Sequence, residues 1–65
     1  MSTRRYLNRI LHILMEDRLA LWHGHVNPAS GKVEDAGARE ALAEYDECIA
    51  WLENTLKQIK EAAHV

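Results

Sequence analysis

Residues 38–63 read AREALAEYDECIAWLENTLKQIKEAA, and an apolar side chain recurs along them at alternating spacings of four and three residues. The apolar positions of this stripe are Ala38, Leu42, Tyr45, Ile49, Leu52, Leu56, Ile59 and Ala63. This is the a/d rhythm of a heptad repeat, which places one narrow apolar seam along one long helix. Because such a seam is buried by another helix, the stripe predicts helix-on-helix packing.

The first half of the chain predicts a helix that is apolar around most of its circumference. At about 100° per residue, the apolar side chains form a broad arc and leave a narrow polar sector. The middle of the arc holds Leu7, Leu11, Leu14, Leu21 and Trp22, flanked by Tyr6, Ile10 and Ile13 on one edge and by Met15 and Leu19 on the other. A helix of this kind is buried on more than one side, so a single partner helix leaves part of it uncovered.

Helix 1 is predicted over residues 3–24. Ser2 or Thr3 is a suitable N-cap because either hydroxyl accepts a hydrogen bond from a free backbone N–H. Gly24 is the predicted stop, since glycine readily adopts the left-handed conformation that ends many helices.

The connection is predicted over residues 25–35 and helix 2 over residues 36–63. Asn27-Pro28 and Ser30-Gly31 are turn signals within the connection. Asp35 is the predicted N-cap of helix 2.

These elements predict one all-α domain spanning residues 1–65, an antiparallel two-helix hairpin. Because a lone hairpin would leave a large apolar patch, we expect two copies to form a homodimeric four-helix bundle with helix 1 towards its centre. The predicted core and dimer residues are Leu7, Ile10, Leu11, Leu14, Leu21, Trp22, Leu42, Tyr45, Ile49, Leu52, Leu56 and Ile59.

Composition predicts a soluble cytoplasmic protein. Cys48 is the only cysteine, so a disulfide within the chain is impossible and a reducing compartment is the natural setting. No run reaches the roughly 18 to 20 apolar residues of a membrane span. The basic, apolar start of the chain is interrupted by polar residues and is a poor signal peptide.

Charge is unevenly distributed along the chain. Residues 1–31 hold four basic and two acidic residues, whereas residues 32–65 hold four basic and eight acidic residues. The two halves therefore attract each other when they fold side by side, which fits an ordinary hairpin.

Arg18 and Trp51 are candidate partner-binding residues. Arg18 lies inside the apolar arc of helix 1, where its charge needs a partner or a route to solvent. Pairing with a carboxylate such as Asp46 is one interpretation, and binding of an anion or a partner protein is the other. Trp51 lies off the apolar stripe on a charged face, as an interface anchor would, or it packs against helix 1 or a second chain.

Three arginines at the start of helix 1, Arg4, Arg5 and Arg9, form a further candidate surface. In an antiparallel hairpin this end lies beside Lys57 and Lys60. Such a basic patch suits phosphates or an acidic protein surface, although pairing with helix 2 acids is the simpler explanation.

The two histidines around Gly24 are weak candidates for a metal site. Imidazoles two residues apart can share a metal, and Glu34 and Asp35 are candidates to complete a site formed by His23 and His25. Surface histidines at a loop are the more ordinary interpretation. The sequence holds no nucleophile–base pair, glycine-rich phosphate loop or His-Glu-x-x-His pattern, so we expect neither an enzyme nor a cofactor.

In length and layout the chain resembles the small helical hairpins that dimerise into four-helix bundles, such as the Rop-like plasmid copy-number regulators. The Leu42-Ala43-Glu44-Tyr45 stretch after the Asn27-Pro28 loop is also similar to type III secretion needle and chaperone hairpins. Both resemblances imply an architecture and transfer no site residues.

The sequence thus predicts a small regulatory module that binds another protein through helical faces, in the manner of phage or plasmid regulators and inhibitors of host proteins. Two alternatives remain open: a nucleic-acid-binding regulator of Rop-like architecture, and a metal-responsive module that uses its histidines.

Overall fold

The computed structural model describes residues 2–62, with side chains described as far as Ile59. Two long helices pack antiparallel and are joined by a short β-hairpin, which gives a rod of 51 × 17 × 17 Å. The elements in chain order are α1 Thr3–His25, β1 Val26–Asn27, β2 Lys32–Val33 and α2 Ala36–Ala62. The predicted helical hairpin is confirmed. Neither helix of the described part combines the length and apolar character that crossing a bilayer requires.

Helix α1 begins as predicted but ends differently. Ser2 is the N-cap, and its hydroxyl oxygen accepts a hydrogen bond from the Arg5 backbone N–H at 3.4 Å. The helix ends at His25, one residue beyond the predicted end at Gly24. The left-handed stop expected at Gly24 is wrong, because Gly24 has no positive φ. Val26 is the C-cap in an extended conformation, so the chain enters β1 directly and needs no left-handed residue.

The connection is a β-hairpin with strands of two residues each, which the sequence pattern did not predict. Val26 pairs with Val33 and Asn27 with Lys32. The turn is closed where the Gly31 N–H donates to the Asn27 carbonyl at 2.7 Å, and Gly31 adopts φ +71°. This is the conformation in which glycine is the favoured residue. Strands of two residues show no alternation, so only the turn signals at Asn27-Pro28 and Ser30-Gly31 were visible in the sequence.

The β-hairpin closes one end of the helix pair. Val33 of β2 is buried together with Ala38 and Leu42 of α2. The partly buried side chains that pack against this cluster are Leu21, Trp22 and Val26. Trp22 therefore lies at the edge of the core, as its position in the apolar arc predicted.

Helix α2 follows the predicted pattern closely. The Asp35 carboxylate accepts a hydrogen bond from the Ala38 backbone N–H at 2.8 Å, which confirms Asp35 as the cap. Along the stripe, Ala38, Leu42 and Leu52 are buried, and the remaining described positions are half-buried, namely Tyr45, Ile49, Leu56 and Ile59. The predicted end at residue 63 lies outside the described residues.

Helix α1 is covered much less completely. Only Leu11 is buried in α1, whereas the other central positions of the predicted arc are half-buried, namely Leu7, Leu14, Leu21 and Trp22. Ile10 was predicted within the core or dimer set, yet in the single hairpin it is 45% exposed and lies outside the core. A single helix contacts only one sector of another, so α2 cannot reach the whole apolar arc.

We expect Leu52→Ala to unfold most of the protein at room temperature. Leu52 is 4% exposed and is the most deeply buried large side chain. Truncation of a buried leucine removes about 2–5 kcal/mol, which is comparable to the whole stability of a domain this small. Circular dichroism during heating measures the change. Leu19→Ala is the matched control, because Leu19 is 56% exposed and its truncation should leave the unfolding midpoint nearly unchanged. Equal midpoints for the two variants would contradict the assigned core.

Candidate interaction surfaces

Large apolar side chains are exposed on two opposite flanks of the hairpin. Those nearly half exposed or more are Tyr6, Ile10, Ile13, Met15, Leu19 and Trp51. Ile10 and Leu19 are nine residues apart, about two and a half helical turns, so they lie on opposite sides of α1. Exposed apolar surface that forms continuous patches marks interaction sites on folded proteins.

The first flank contains an apolar groove between the helices, here called the Trp51 groove. Its lining residues are Leu7, Ile10, Leu14, Glu47, Cys48, Trp51 and Leu52. The surface continues along the helices through a second hollow that shares Leu14 and Cys48 and adds Tyr45, Ala41 and Glu44. The first flank is therefore apolar along its middle and acidic on its α2 rim.

Trp51 combines two of the properties expected from the sequence. Its side chain lines the groove against α1, which is one of the packing arrangements predicted for an off-stripe tryptophan. It is nevertheless 63% exposed, the largest value among the bulky apolar residues. A large aromatic side chain that is already held at a groove and still exposed is well suited to anchor a partner.

The second flank, here called the Leu19 flank, surrounds an ion pair with apolar side chains. A hollow on this side is lined by Met15, Glu16, Arg18, Leu19, Asp46 and Ile49. Met15 is 48% and Leu19 56% exposed, whereas Ile49 is half-buried in the seam of α2. The sequence pattern does not single out this surface, because Met15 and Leu19 form only the edge of a broad apolar arc on α1.

Arg18 and Asp46 form the ion pair that the sequence offered as one interpretation. The guanidinium Nε donates to Asp46 Oδ1 at 2.5 Å, and Nη2 donates to Oδ2 at 3.3 Å. The two side chains are 35% and 58% exposed, so water screens the pair and its contribution to stability is small. The pair joins the two helices and keeps the Arg18 charge at the surface of the Leu19 flank.

The arginine end meets α2 as the antiparallel arrangement predicts. Arg4 lines a hollow together with Asn8, Leu11, Glu53, Leu56 and Lys57. Arg5 and Arg9 are exposed. Arg4 and Lys57 therefore meet at one site, although the carboxylate of Glu53 lies in the same hollow and reduces its positive charge. The Lys60 side chain, also predicted here, lies outside the described side chains.

The histidines do not assemble a ligand set. His23 is exposed with its ring edge-on to Trp22, at a centroid distance of 5.1 Å, and His25 is the exposed last residue of α1. Across the described residues, no three His, Cys, Asp or Glu side chains come together as a metal site. The carboxylates suggested to complete one have other partners. Glu34 accepts hydrogen bonds from Asn27 and Ser30, and Asp35 caps α2.

A second heptad seam on α1 is the clearest feature that the sequence reasoning missed. Its positions, spaced alternately three and four residues apart, are Thr3, Tyr6, Ile10, Ile13, Asp17 and Ala20. In the sequence, the apolar arc of α1 is continuous, so this seam cannot be told apart from the rest of the arc. It is distinguished only by the structure, which shows that the row through buried Leu11 is the one that faces α2.

Comparison of the chain with protein-family models, curated proteins and solved structures finds no match.

The Arg18–Asp46 pair should contribute little to stability. In a double-mutant cycle with Arg18→Ala and Asp46→Ala, we expect a coupling free energy below about 1 kcal/mol, because both side chains are partly exposed and exposed pairs are screened. Chemical denaturation of the four proteins at low salt measures it. A coupling of several kcal/mol would show instead that the pair is a main structural contact between the helices.

Proposed function

We propose that this chain is a non-enzymatic interaction protein. In this proposal the hairpin self-associates into a homodimeric four-helix bundle and binds another protein, as a small regulator or inhibitor does. The observation that carries the proposal is the apolar surface on both flanks of the hairpin, where six bulky side chains are 45% to 63% exposed.

Two opposite apolar flanks support two different contacts. A twofold dimer uses one surface patch of each copy, so a dimer formed on one flank leaves the other flank uncovered. The Trp51 groove lies on the flank with the longer apolar surface, which continues into a neighbouring hollow. The Leu19 flank carries the Arg18–Asp46 pair, so it combines apolar contact with hydrogen-bonding groups. Such a mixed surface is typical of contacts with a different protein.

The proposal assigns roles to the residues selected from the sequence. Arg18 belongs to the Leu19 flank and is assigned to the partner protein. Trp51 belongs to the groove, where it serves the dimer first. Arg4, Arg5 and Arg9 lie towards the open end of the hairpin. Arg4 and Arg5 are assigned to acidic groups on the partner, because the arginine-rich end of a helix attracts carboxylates. Arg9, one turn further along α1 than Arg5, is assigned to the contact between the two copies.

The homodimer is tested by light scattering after gel filtration over a range of concentrations. We expect a mass of about 15 kDa, twice the 7.5 kDa of one chain, because dimerisation removes apolar surface from water. The Trp51→Ala variant should shift the equilibrium towards the monomer, with the exposed Glu40→Gln as the control. A monomeric mass at every concentration would overturn the dimer.

The heterologous contact is tested by crosslinking a tagged chain in cells and quantifying the captured proteins. We expect Leu19→Ser and the double change Arg4, Arg5→Ala each to remove the same captured protein, whereas Glu40→Gln retains it. Helix content, measured by circular dichroism, should be equal in all variants, since the altered side chains are exposed. If neither change alters the captured set, both assigned surfaces are wrong.

A nucleic-acid-binding regulator is the second candidate, and the observation that favours it is the meeting of Arg4 and Lys57 at one hollow. This candidate requires binding to RNA or DNA that weakens steeply as salt rises. The acidic Glu53 beside those residues and the net charge of −2 oppose it. The absence of a gel shift at low salt would exclude it.

A further inference from the structure

The second heptad seam of α1, through Tyr6, Ile10, Ile13 and Asp17, faces away from the row that contacts α2. Tyr6 is 52%, Ile10 45% and Ile13 48% exposed, whereas Leu11 is only 9% exposed. Ala20 extends the seam by almost one further turn and is exposed as well. The seam therefore has the period of a helix–helix contact and lacks a covering helix within the described chain.

We propose that the seam is covered by α1 of a second copy, running antiparallel. In this register Ile10 lies opposite Ile13 of the second copy, and Ile13 opposite Ile10. The twofold axis then passes between Leu11 and His12. The inference rests on the homodimer proposed above and deepens it, because it specifies which helices meet, in which direction and in which register.

The position of Asp17 selects the direction. A parallel, in-register pairing would place the Asp17 carboxylates of the two copies against each other in an apolar contact, where like charges are strongly unfavourable. In the antiparallel pairing, the numbers of two opposed seam residues always add up to the same value. Since Ile10 lies opposite Ile13, Asp17 lies opposite Tyr6 of the second copy. The phenol O–H can donate a hydrogen bond to the carboxylate, and the twofold axis provides this contact twice.

The residues on either side of the seam agree with the same register. Arg9 and Glu16 lie along one edge of the seam, each one residue before a seam residue, Ile10 and Asp17 respectively. Glu16 also lines the neighbouring hollow of the Leu19 flank. Antiparallel helices bring such edge positions together, so Arg9 meets Glu16 of the second copy in two symmetric pairs. Both side chains are exposed, and within the described part of one chain the ion pair found joins Arg18 to Asp46 instead.

The other edge of the seam is apolar and continuous with the Trp51 groove. Leu7 and Leu14 each follow a seam residue by one position, and both line the groove beside Trp51. In the proposed register Leu7 meets Leu14 of the second copy, next to the axis. The grooves of the two copies therefore close against each other at the centre of the bundle, and charged pairs remain on its outer edge.

The occupant follows from this complementarity. When two copies of α1 pack antiparallel, apolar positions meet apolar positions and basic positions meet acidic ones. A different protein would need no such self-complementarity. Among the described side chains of α2, those that line this flank include Glu44 and Glu47 and no arginine.

A charge-exchange experiment tests the register. The R9E chain and the E16R chain should each dimerise about tenfold more weakly than the original, because both symmetric pairs become repulsive. An equimolar mixture should form the heterodimer preferentially, since each pair then joins opposite charges again. The R9E/E16R double variant should recover the original dissociation constant. Native mass spectrometry separates the three dimers by mass, and light scattering gives the dissociation constants.

Controls keep this test separate from the proposed function. Arg5→Glu changes the same charge on the same helix away from the seam, and it should weaken the dimer much less than R9E. Equal helix content in all variants shows that the hairpin is folded. If the original chain dimerises but the mixture gives a statistical distribution, the register is wrong and the homodimer stands. If the original chain is monomeric, the homodimer and the register fail together.

Discussion

The apolar seam of α2 is narrow enough for one helix to cover, whereas the apolar surface of α1 is too wide for α2 to cover. The remaining features of the molecule follow from this difference in width. The buried apolar residues of the described chain are Leu11, Val33, Ala38, Leu42 and Leu52, and none of them is completely removed from solvent. A core of this size gives a small domain only marginal stability. Anything that binds the folded hairpin and buries more of α1 adds its binding free energy to that of folding.

The two ends of the hairpin are ordered by different means. At the loop end, the β-hairpin brings Val33 onto Ala38 and Leu42, and hydrogen bonds from Asn27 and Ser30 hold Glu34 in place. At the open end, Arg4 meets Leu56 and Lys57 in a hollow without a comparable cluster. The loop end therefore sets the alignment of the helices, and the open end carries exposed charges.

Sequence alone predicted the features that depend on local period or on a required partner. The α2 seam repeats over eight heptad positions in the sequence. The Asp35 cap depends on one side chain and the backbone next to it, and Arg18 in an apolar arc needs an acid within reach. The β-hairpin escaped prediction because two-residue strands have no period. Gly24 was assigned as the stop because its type permits a left-handed turn, but Val26 continues into a strand and needs none.

The site was only partly predictable for a different reason. Trp51 and Arg18 were selected as residues that break a pattern, and such residues can be found without coordinates. The Leu19 flank and the Tyr6–Asp17 seam follow the apolar pattern of α1, so only the direction of α2 separates core positions from free ones. On a helix that is apolar nearly all round, the position of the neighbouring helix, here α2, decides which apolar residues stay exposed.

Asp17 connects stability to specificity. An apolar residue at that seam position would strengthen any association of α1 and would favour parallel and antiparallel pairings alike. A carboxylate at this position weakens every pairing of two α1 helices in which it has no hydrogen-bond donor. It does not weaken the antiparallel pairing in the same way, because there the Tyr6 phenol can donate to it. Polar residues in helical seams set orientation at a cost in affinity. In the proposed dimer, Asp17 would therefore fix the orientation of the two α1 helices, and the carboxylate would lower the affinity below that of a fully apolar seam.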